Sequence, residues 1–270
     1  MSDYDPLATI YDADLGTKTD DIPMYLKYAH QQGSPILELA CGTGRLLLPL
    51  AEQGFDLYGI DASQAMLEVA RNKIDAARHR INGKIVIGHG QMRQVADNPL
   101  VRGLKFNLVI IAFNAFLHLL TQRDQEKTLT GIHNLLAENG LLVVDIFAPH
   151  HHVLAQVEDT RIHQHVRHDE NTGETYIRSD RVRRNLAEQT QEVDFIYDVV
   201  RADGGIERKV YTVHSRFVFR YEMALLLEMT GYEVIALYGG YDGQHYDYHS
   251  GIMVFVVKKA TKAAQNRLYL

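Results

Sequence analysis

The chain has 270 residues and a formal net charge of −6, with 28 Lys and Arg against 34 Asp and Glu, which argues against the basic excess of a nucleic-acid binder. Its 46% hydrophobic and 23% charged content, with 6 Pro and 20 Gly, belongs to a folded globular chain. One Cys excludes an intramolecular disulfide and, with no basic-then-apolar leader, makes a reducing cytoplasm the expected compartment. The longest apolar stretch, from Phe106 to Leu120, is broken by Asn107, Asn114 and His118 before it reaches the roughly 20 residues of a membrane span, so no membrane association is expected.

Residues Ser2 to Asp21 mix Tyr, Asp and Thr without a clean apolar period and read as a lid or arm; Ile22 to Ala29 follow as a short helix after an Asp20-Asp21 cap. From Pro35 the pattern becomes strand (Ile36 to Leu39), glycine turn (Cys41 to Gly44), helix (Arg45 to Gln53) and second strand (Phe55 to Ile60) ending in Asp61, a βαβ unit. A cap at Asp61 or Ser63 opens a helix from Gln64 to Arg78. Strands are expected at 84–87, 106–112 and 140–147, with a helix from about Arg123 to Ala137 between the last two. Such alternation implies an α/β, doubly wound, mostly parallel sheet covered on both faces.

After Pro149 the pattern changes. Segments 161–168, 175–184, 192–199 and 206–217 alternate polar and apolar residues, with turn signals at Asn171-Thr172-Gly173 and Asp203-Gly204-Gly205, as antiparallel hairpins do. A helix from Tyr221 to Thr230 stops at Gly231, and strands at 233–238 and 252–258 resume the first sheet. The chain therefore divides into an arm (1–29), a ligand-binding domain (30–149 and 216–259), an inserted antiparallel β subdomain (150–215) and a short polar tail (260–270).

The turn Glu38-Leu39-Ala40-Cys41-Gly42-Thr43-Gly44 lies between a buried strand and a helix, where glycines let the backbone approach a ligand. Leu47 stands where a dinucleotide fingerprint needs its third glycine, and no Lys followed by Ser or Thr completes a P-loop. Instead Glu38 stands four positions before Gly42, and Asp61 at the tip of the next strand is placed to accept hydrogen bonds from both ribose hydroxyls of an adenosine.

These residues resemble the first two motifs of class I S-adenosylmethionine-dependent methyltransferases: Ile36 to Gly44, then Gly59-Ile60-Asp61-Ala62-Ser63 with Met66-Leu67. Gly90-Gln91-Met92-Arg93 is similar to the third motif, usually acidic where this chain has Gln91, and Ala40 replaces the first glycine of the usual triplet. The Asn114 to Leu119 segment, the β-rich insertion and Tyr238 to Gly243 resemble small-molecule members, such as amino-sugar N,N-dimethyltransferases and glycine N-methyltransferase-like enzymes. The resemblance implies a seven-stranded Rossmann-like sheet, S-adenosyl-L-methionine as cofactor and a small-molecule acceptor, with no nucleic-acid partner.

The resemblance assigns the cofactor to Tyr11, Glu38, Ala40, Cys41, Gly42, Gly44, Asp61, Ala62, Met66, Gln91, Met92, Phe113 and Asn114, and catalysis to His118 and Tyr11. His118 follows the fourth strand at the ligand-binding edge, where an imidazole titrating near neutrality suits a general base. The plainer alternatives are a packed turn histidine and a Tyr11 that anchors the arm. Tyr241 and Tyr246, in the last loop, are candidates for the acceptor pocket against a polar hairpin surface. No metal is expected: three consecutive His at 150–152 cannot face one ion, and His163, His165 and His168 read as an exposed strand face, as does the basic run from Arg178 to Arg184. A homodimer through edges of the inserted strands is compatible with this reading. Two alternatives stay open: a non-catalytic module sensing the cofactor or its demethylated product, and a methyltransferase acting on protein or RNA.

Overall fold

The computed structural model describes residues 2–16, 18–156, 158–169 and 172–261. In chain order the elements are α1 (Ala8–Leu15), α2 (Ile22–Gln32), β1 (Ile36–Leu39), α3 (Leu47–Glu52), β2 (Leu57–Asp61), α4 (Gln64–Ala76), β3 (Ile85–His89), β4 (Phe106–Ile111), α5 (Gln122–Leu135), β5 (Leu136–Phe147) and α6 (His151–Leu154). They are followed by β6 (Arg161–Asp169), β7 (Glu174–Asn185), β8 (Thr190–Val200), β9 (Ile206–Arg216), α7 (Arg220–Met229), β10 (Tyr232–Tyr238) and β11 (Ile252–Lys259). Seven strands form one sheet in the order β10-β11-β5-β4-β1-β2-β3, parallel except for antiparallel β11; β6-β7-β8-β9 form a separate antiparallel sheet. The first sheet buries apolar side chains on both faces, so β1 and β4 are apolar at every position except Glu38 and Asn107.

The strand order reverses between β1 and β4, the point at which ligands bind in doubly wound sheets. Helix α3 starts two residues later than expected. Ala40, Gly42 and Gly44 all have positive φ (56°, 54° and 78°), so the turn consumes the segment to Arg45, whose guanidinium reaches back to Asp21. Strand β5 starts at Leu136 directly after α5, four residues before the expected start. A register irregularity opposite Phe106 and Leu108 absorbs these residues where Gly140 passes the Phe106 carbonyl, too close for a Cβ.

The arm is more ordered than its sequence suggests. Leu7, Ala8 and Ile10 of the arm are buried in a third apolar cluster with Met66 of α4 and with Tyr176, Tyr197 and Val213 of the second sheet. Docking, not local periodicity, makes α1 a helix. Its acidic residues reach in two directions: Asp12 accepts hydrogen bonds from Thr43 Oγ1 (2.6 Å) and Lys73 Nζ (2.8 Å), while buried Asp14 accepts from Tyr197 Oη (2.6 Å), Arg178 Nη1 (2.5 Å) and His165 Nε2.

Two expectations for the insert are thereby corrected. His165 is not an exposed strand residue, because it pairs with Asp14. Arg178 is buried on the inner face, stacked 4.2 Å over Phe195 and bound to both Asp14 and Asp180; Arg181 and Arg183 lie on the other face and share Asp194. Period-two alternation splits the basic run between the two faces. Removing Asp14 leaves Arg178 short of a buried counter-charge, worth about 3 kcal/mol. Asp14→Ala is therefore expected to release the arm and speed tryptic cleavage after Lys18, with unchanged digestion counting against the latch. The turn expected at Asn171 falls partly outside the described residues, and the tail from 262 onward lies outside them.

Candidate functional site

A cavity of about 870 Å³ opens between the C-terminal edge of the seven-stranded sheet, the arm and the inner face of the second sheet. Its walls include Tyr11, Glu38, Ala40, Cys41, Gly42, Asp61, Ala62, Met66, Gln91, Met92, Phe113, Asn114 and His118. These residues come from five separate segments; the parallel strands bring four of them to one edge, and α1 of the arm adds Tyr11.

Asp61 sits at the tip of β2. Its Oδ2 accepts from Gly42 N (2.8 Å) and its Oδ1 from Ser63 N (2.7 Å), so the carboxylate also ties the glycine turn to the start of α4. Ser63, rather than Asp61, caps α4, accepting from Met66 N. Burial pushes the Asp61 carboxyl up despite those two backbone bonds. A Cβ built on Gly42 meets nothing within 4 Å, so the bare backbone faces open space. Cys41 is buried against Gly59, where an added Cβ would lie 2.8 Å from Sγ; burial pushes its thiol up and keeps it a packing residue.

Glu38 is buried, and its Oε2 has no hydrogen-bond partner among the described residues. Burial pushes its carboxyl to about 8, against the pull of nearby Arg45, which is itself committed to Asp21 through two 2.6 Å bonds. A buried carboxylate oxygen without a donor is costly unless a cation meets it.

At the other end, His118 Nδ1 lies 2.8 Å from the His214 carbonyl of β9, and Nε2 lies 3.0 Å from Tyr4 Oη of the arm. A carbonyl only accepts, so Nδ1 carries the proton and Nε2 presents its lone pair. Burial holds the imidazolium form below the ordinary histidine range.

Three expected site residues do not line this cavity. Gly44 supplies a positive φ and packs on Ala70, so it shapes the turn without facing the space. Tyr241 donates through Oη to buried Asp145 (2.9 Å), with the Lys18 ammonium 4.9 Å from its ring. Tyr246 borders a separate, smaller depression with Arg220 and Leu237. The polar last loop thus satisfies a buried acid and covers a sheet edge.

Asp145 escaped sequence reading. It accepts from Tyr25 Oη, Tyr241 Oη and Phe113 N (2.8 Å), and so holds the turn in which Phe113 and Asn114 both adopt left-handed backbone (φ 54° and 65°). A lone acid inside the apolar run Leu141 to Phe147 was its available signal. Tyr4 and Arg178 were also missed; both line the cavity, and neither carries a motif.

Residues 36–140 match a family model described as a methyltransferase domain. The chain aligns over 97% of its length with 99% of the CcbJ methyltransferase from Streptomyces caelestis, at 22% identity and a TM-score of 0.77. Over 94% of its length it aligns with 97% of an S-adenosylmethionine-bound amino pentose methyltransferase from Micromonospora echinaspora, at 20% identity and a TM-score of 0.68. These likenesses are of fold. Among curated proteins, it is 33% identical over 122 residues to glycine/sarcosine N-methyltransferase from Aphanothece halophytica, covering 45% of this chain and 43% of that one. It is 28% identical over 144 residues to the putative methyltransferase YqeM of Bacillus subtilis (strain 168), covering 53% and 55%. The chain spans about half the length of the curated relatives it matches.

The cavity fits the cofactor of that fold. The unpartnered Glu38 oxygen suits the methionyl ammonium, Asp61 retains lone pairs for ribose hydroxyls, and the space over Gly42 admits close approach of the ligand. One pH prediction follows from Glu38. Folding raises its carboxyl from the ordinary 4.5 to about 8, so the folded state binds the extra proton and the contribution to stability is lost as pH rises between those values. The ligand-free protein is expected to melt lower at pH 8 than at pH 5, by a margin that Glu38→Gln narrows; identical pH slopes for the two proteins would count against this. Among the described residues no helix is long and apolar enough to cross a membrane, and no group of three or more His, Cys, Asp or Glu is placed to hold a metal. Residues 36–140 of this chain thus match a methyltransferase domain, and the whole chain has a fold like that of an S-adenosylmethionine-dependent methyltransferase from Clostridium acetobutylicum ATCC 824.

Proposed function

We propose that this protein transfers a methyl group from S-adenosylmethionine to a nitrogen of a small polar molecule, with His118 as general base. The observation that carries the reading is one cavity with cofactor-type residues at one end and a histidine of fixed tautomer at the other, walled by the arm and the second sheet. Such walls leave room for a small acceptor and little for a folded macromolecule. Bound S-adenosylmethionine supplies an already activated sulfonium methyl, so the chain has to align and desolvate the reactants more than react with them covalently.

Asp61 would hold the donor by its ribose and Glu38 by its methionyl ammonium. Leu7 and Tyr11 of the arm close the cavity from above and exclude water, and the Tyr11 ring adds a face on which a cation is stabilised modestly. His118 is the base that ends up protonated at Nε2 while Nδ1 stays bonded to the His214 carbonyl; its depressed pKa keeps it neutral, and therefore basic, near pH 7. Nitrogen is favoured over oxygen because the named activity of the similar Aphanothece halophytica protein is N-methylation of glycine and sarcosine.

The test is to incubate the protein with methyl-labelled S-adenosylmethionine and a panel of amines, amino acids and amino sugars. Label on an amine of the panel is expected. Cofactor binding without transfer to any member would sink the catalytic reading and favour a sensing module.

A further inference from the structure

Resting on that proposed function, we propose that Tyr4 is a catalytic residue that relays the acceptor's proton to His118. His118 is boxed in. The His214 carbonyl occupies Nδ1, and Tyr4 Oη stands 3.0 Å from Nε2, so the lone pair that would act as base already receives a hydrogen bond. The Tyr4 and His118 rings meet edge to face with centroids 5.0 Å apart, and Tyr11 meets the other side of Tyr4 at 6.2 Å. Tyr4 and His118 both line the cavity, and in the relay an acceptor nitrogen comes up to the Tyr4 hydroxyl and reaches Nε2 through it.

The relay balances without any further reactant. The acceptor N–H bond breaks heterolytically, leaving the electron pair on nitrogen, and its proton forms a new O–H bond at Tyr4. The original Tyr4 O–H bond breaks in the same step, and that proton forms Nε2–H. Tyr4 ends as a neutral phenol and His118 as an imidazolium that still donates from Nδ1 to the His214 carbonyl. A free tyrosinate is never formed, which suits a phenol whose ionisation is strongly opposed by burial and by nearby acidic groups.

The arm is held for this task. Asp5 Oδ1 accepts from Ser63 Oγ (2.6 Å), the cap of α4 beside Asp61, and Asp3 Oδ2 accepts from His214 N (3.1 Å). Both residues flanking Tyr4 are thus pinned, one to the cofactor side and one to the second sheet. The charged and titratable groups that bear on the pair are Asp3 and Tyr11 from the arm, Asp61 from β2, Arg178 from β7 and His214 from β9.

Two measurements test the relay. In protein saturated with S-adenosylhomocysteine, ¹⁵N NMR is expected to show His118 protonated at Nδ1, with an imidazole pKa that rises in Tyr4→Phe because a donor to the neutral form is gone. An unchanged titration would overturn the pairing, and this arm needs no methyl acceptor. Label transfer to the amine that accepts it is then expected to fall about tenfold or more in kcat in Tyr4→Phe with KM nearly unchanged, and Tyr4→Phe/His118→Ala should be no slower than His118→Ala. A Tyr4→Phe protein at the normal rate, or losses that multiply in the double variant, would show that Nε2 takes the proton directly. Absence of transfer by the unmodified protein would instead count against the proposed function.

Discussion

Asp61→Ala is expected to weaken S-adenosylhomocysteine binding by about 100-fold in calorimetry, with far-UV circular dichroism preserved. Charge-assisted hydrogen bonds to a carboxylate contribute about 1.5–3 kcal/mol each, and about 3 kcal/mol corresponds to roughly two decades in Kd. The loss is compounded by the second task of this side chain, because Oδ2 and Oδ1 fix Gly42 N and Ser63 N at 2.8 and 2.7 Å. Without Asp61 both the ribose contact and the shape of the glycine turn go. The same geometry predicts that Asp61→Asn is nearly as damaging: both oxygens face N–H donors, and an amide would set its own NH₂ against one of them. A Kd within threefold of the unmodified protein in either variant would remove Asp61 from the cofactor site.

His118→Ala should behave in the opposite way, losing about 100-fold in turnover while S-adenosylhomocysteine affinity stays within about threefold, since a positioned acid–base group contributes on the order of 10²–10⁴ in rate. His118 also bridges the arm and β9, so arm proteolysis must be followed in parallel. His118→Gln, which keeps a polar group there, separates loss of a base from loss of that bridge. The pH profile gives a second check. Burial depresses the His118 pKa, so kcat is expected to rise with pH along an acid limb whose midpoint lies below the ordinary imidazole value of 6.5. Protonating the imidazole destabilises the folded arm by the same sign, because the folded state resists the proton that the unfolded chain accepts. Equal losses of affinity and turnover in both His118 variants would sink the base assignment.

Much of the candidate site is legible in the sequence, for a local reason. Glu38, the glycine turn and Asp61 all lie within one βαβ unit, so their spacing and the burial of the strands determine that they meet. His118 was legible because it ends the next apolar run at the same sheet edge. Tyr241 and Tyr246 stand away from the cavity, a placement the sequence does not settle because a polar, aromatic loop looks the same whether it closes a pocket or packs elsewhere. Only Asp145, a whole strand away, decides that Tyr241 does the latter. Arg178 was misread for a related reason: alternation tells which residues share a face of a strand, but not which face another segment will cover.

By itself, then, the sequence determined the parallel core, the antiparallel insert and the meeting of Glu38, the glycine turn and Asp61 at one sheet edge, because period, turn chemistry and βαβ spacing act over short stretches of chain. The tertiary structure alone decided what surrounds His118, at the end of the cavity proposed for the acceptor. Tyr4, His118 and the His214 carbonyl are brought together from the arm, the sheet edge and the insert, with His118 114 and 96 positions away in sequence from its two partners. No local rule links segments that far apart. Their meeting depends on the arm exchanging water for Ser63, Thr43, Tyr197 and Arg178 as hydrogen-bond partners, and on the apolar cluster that makes α1 a helix where its own pattern does not.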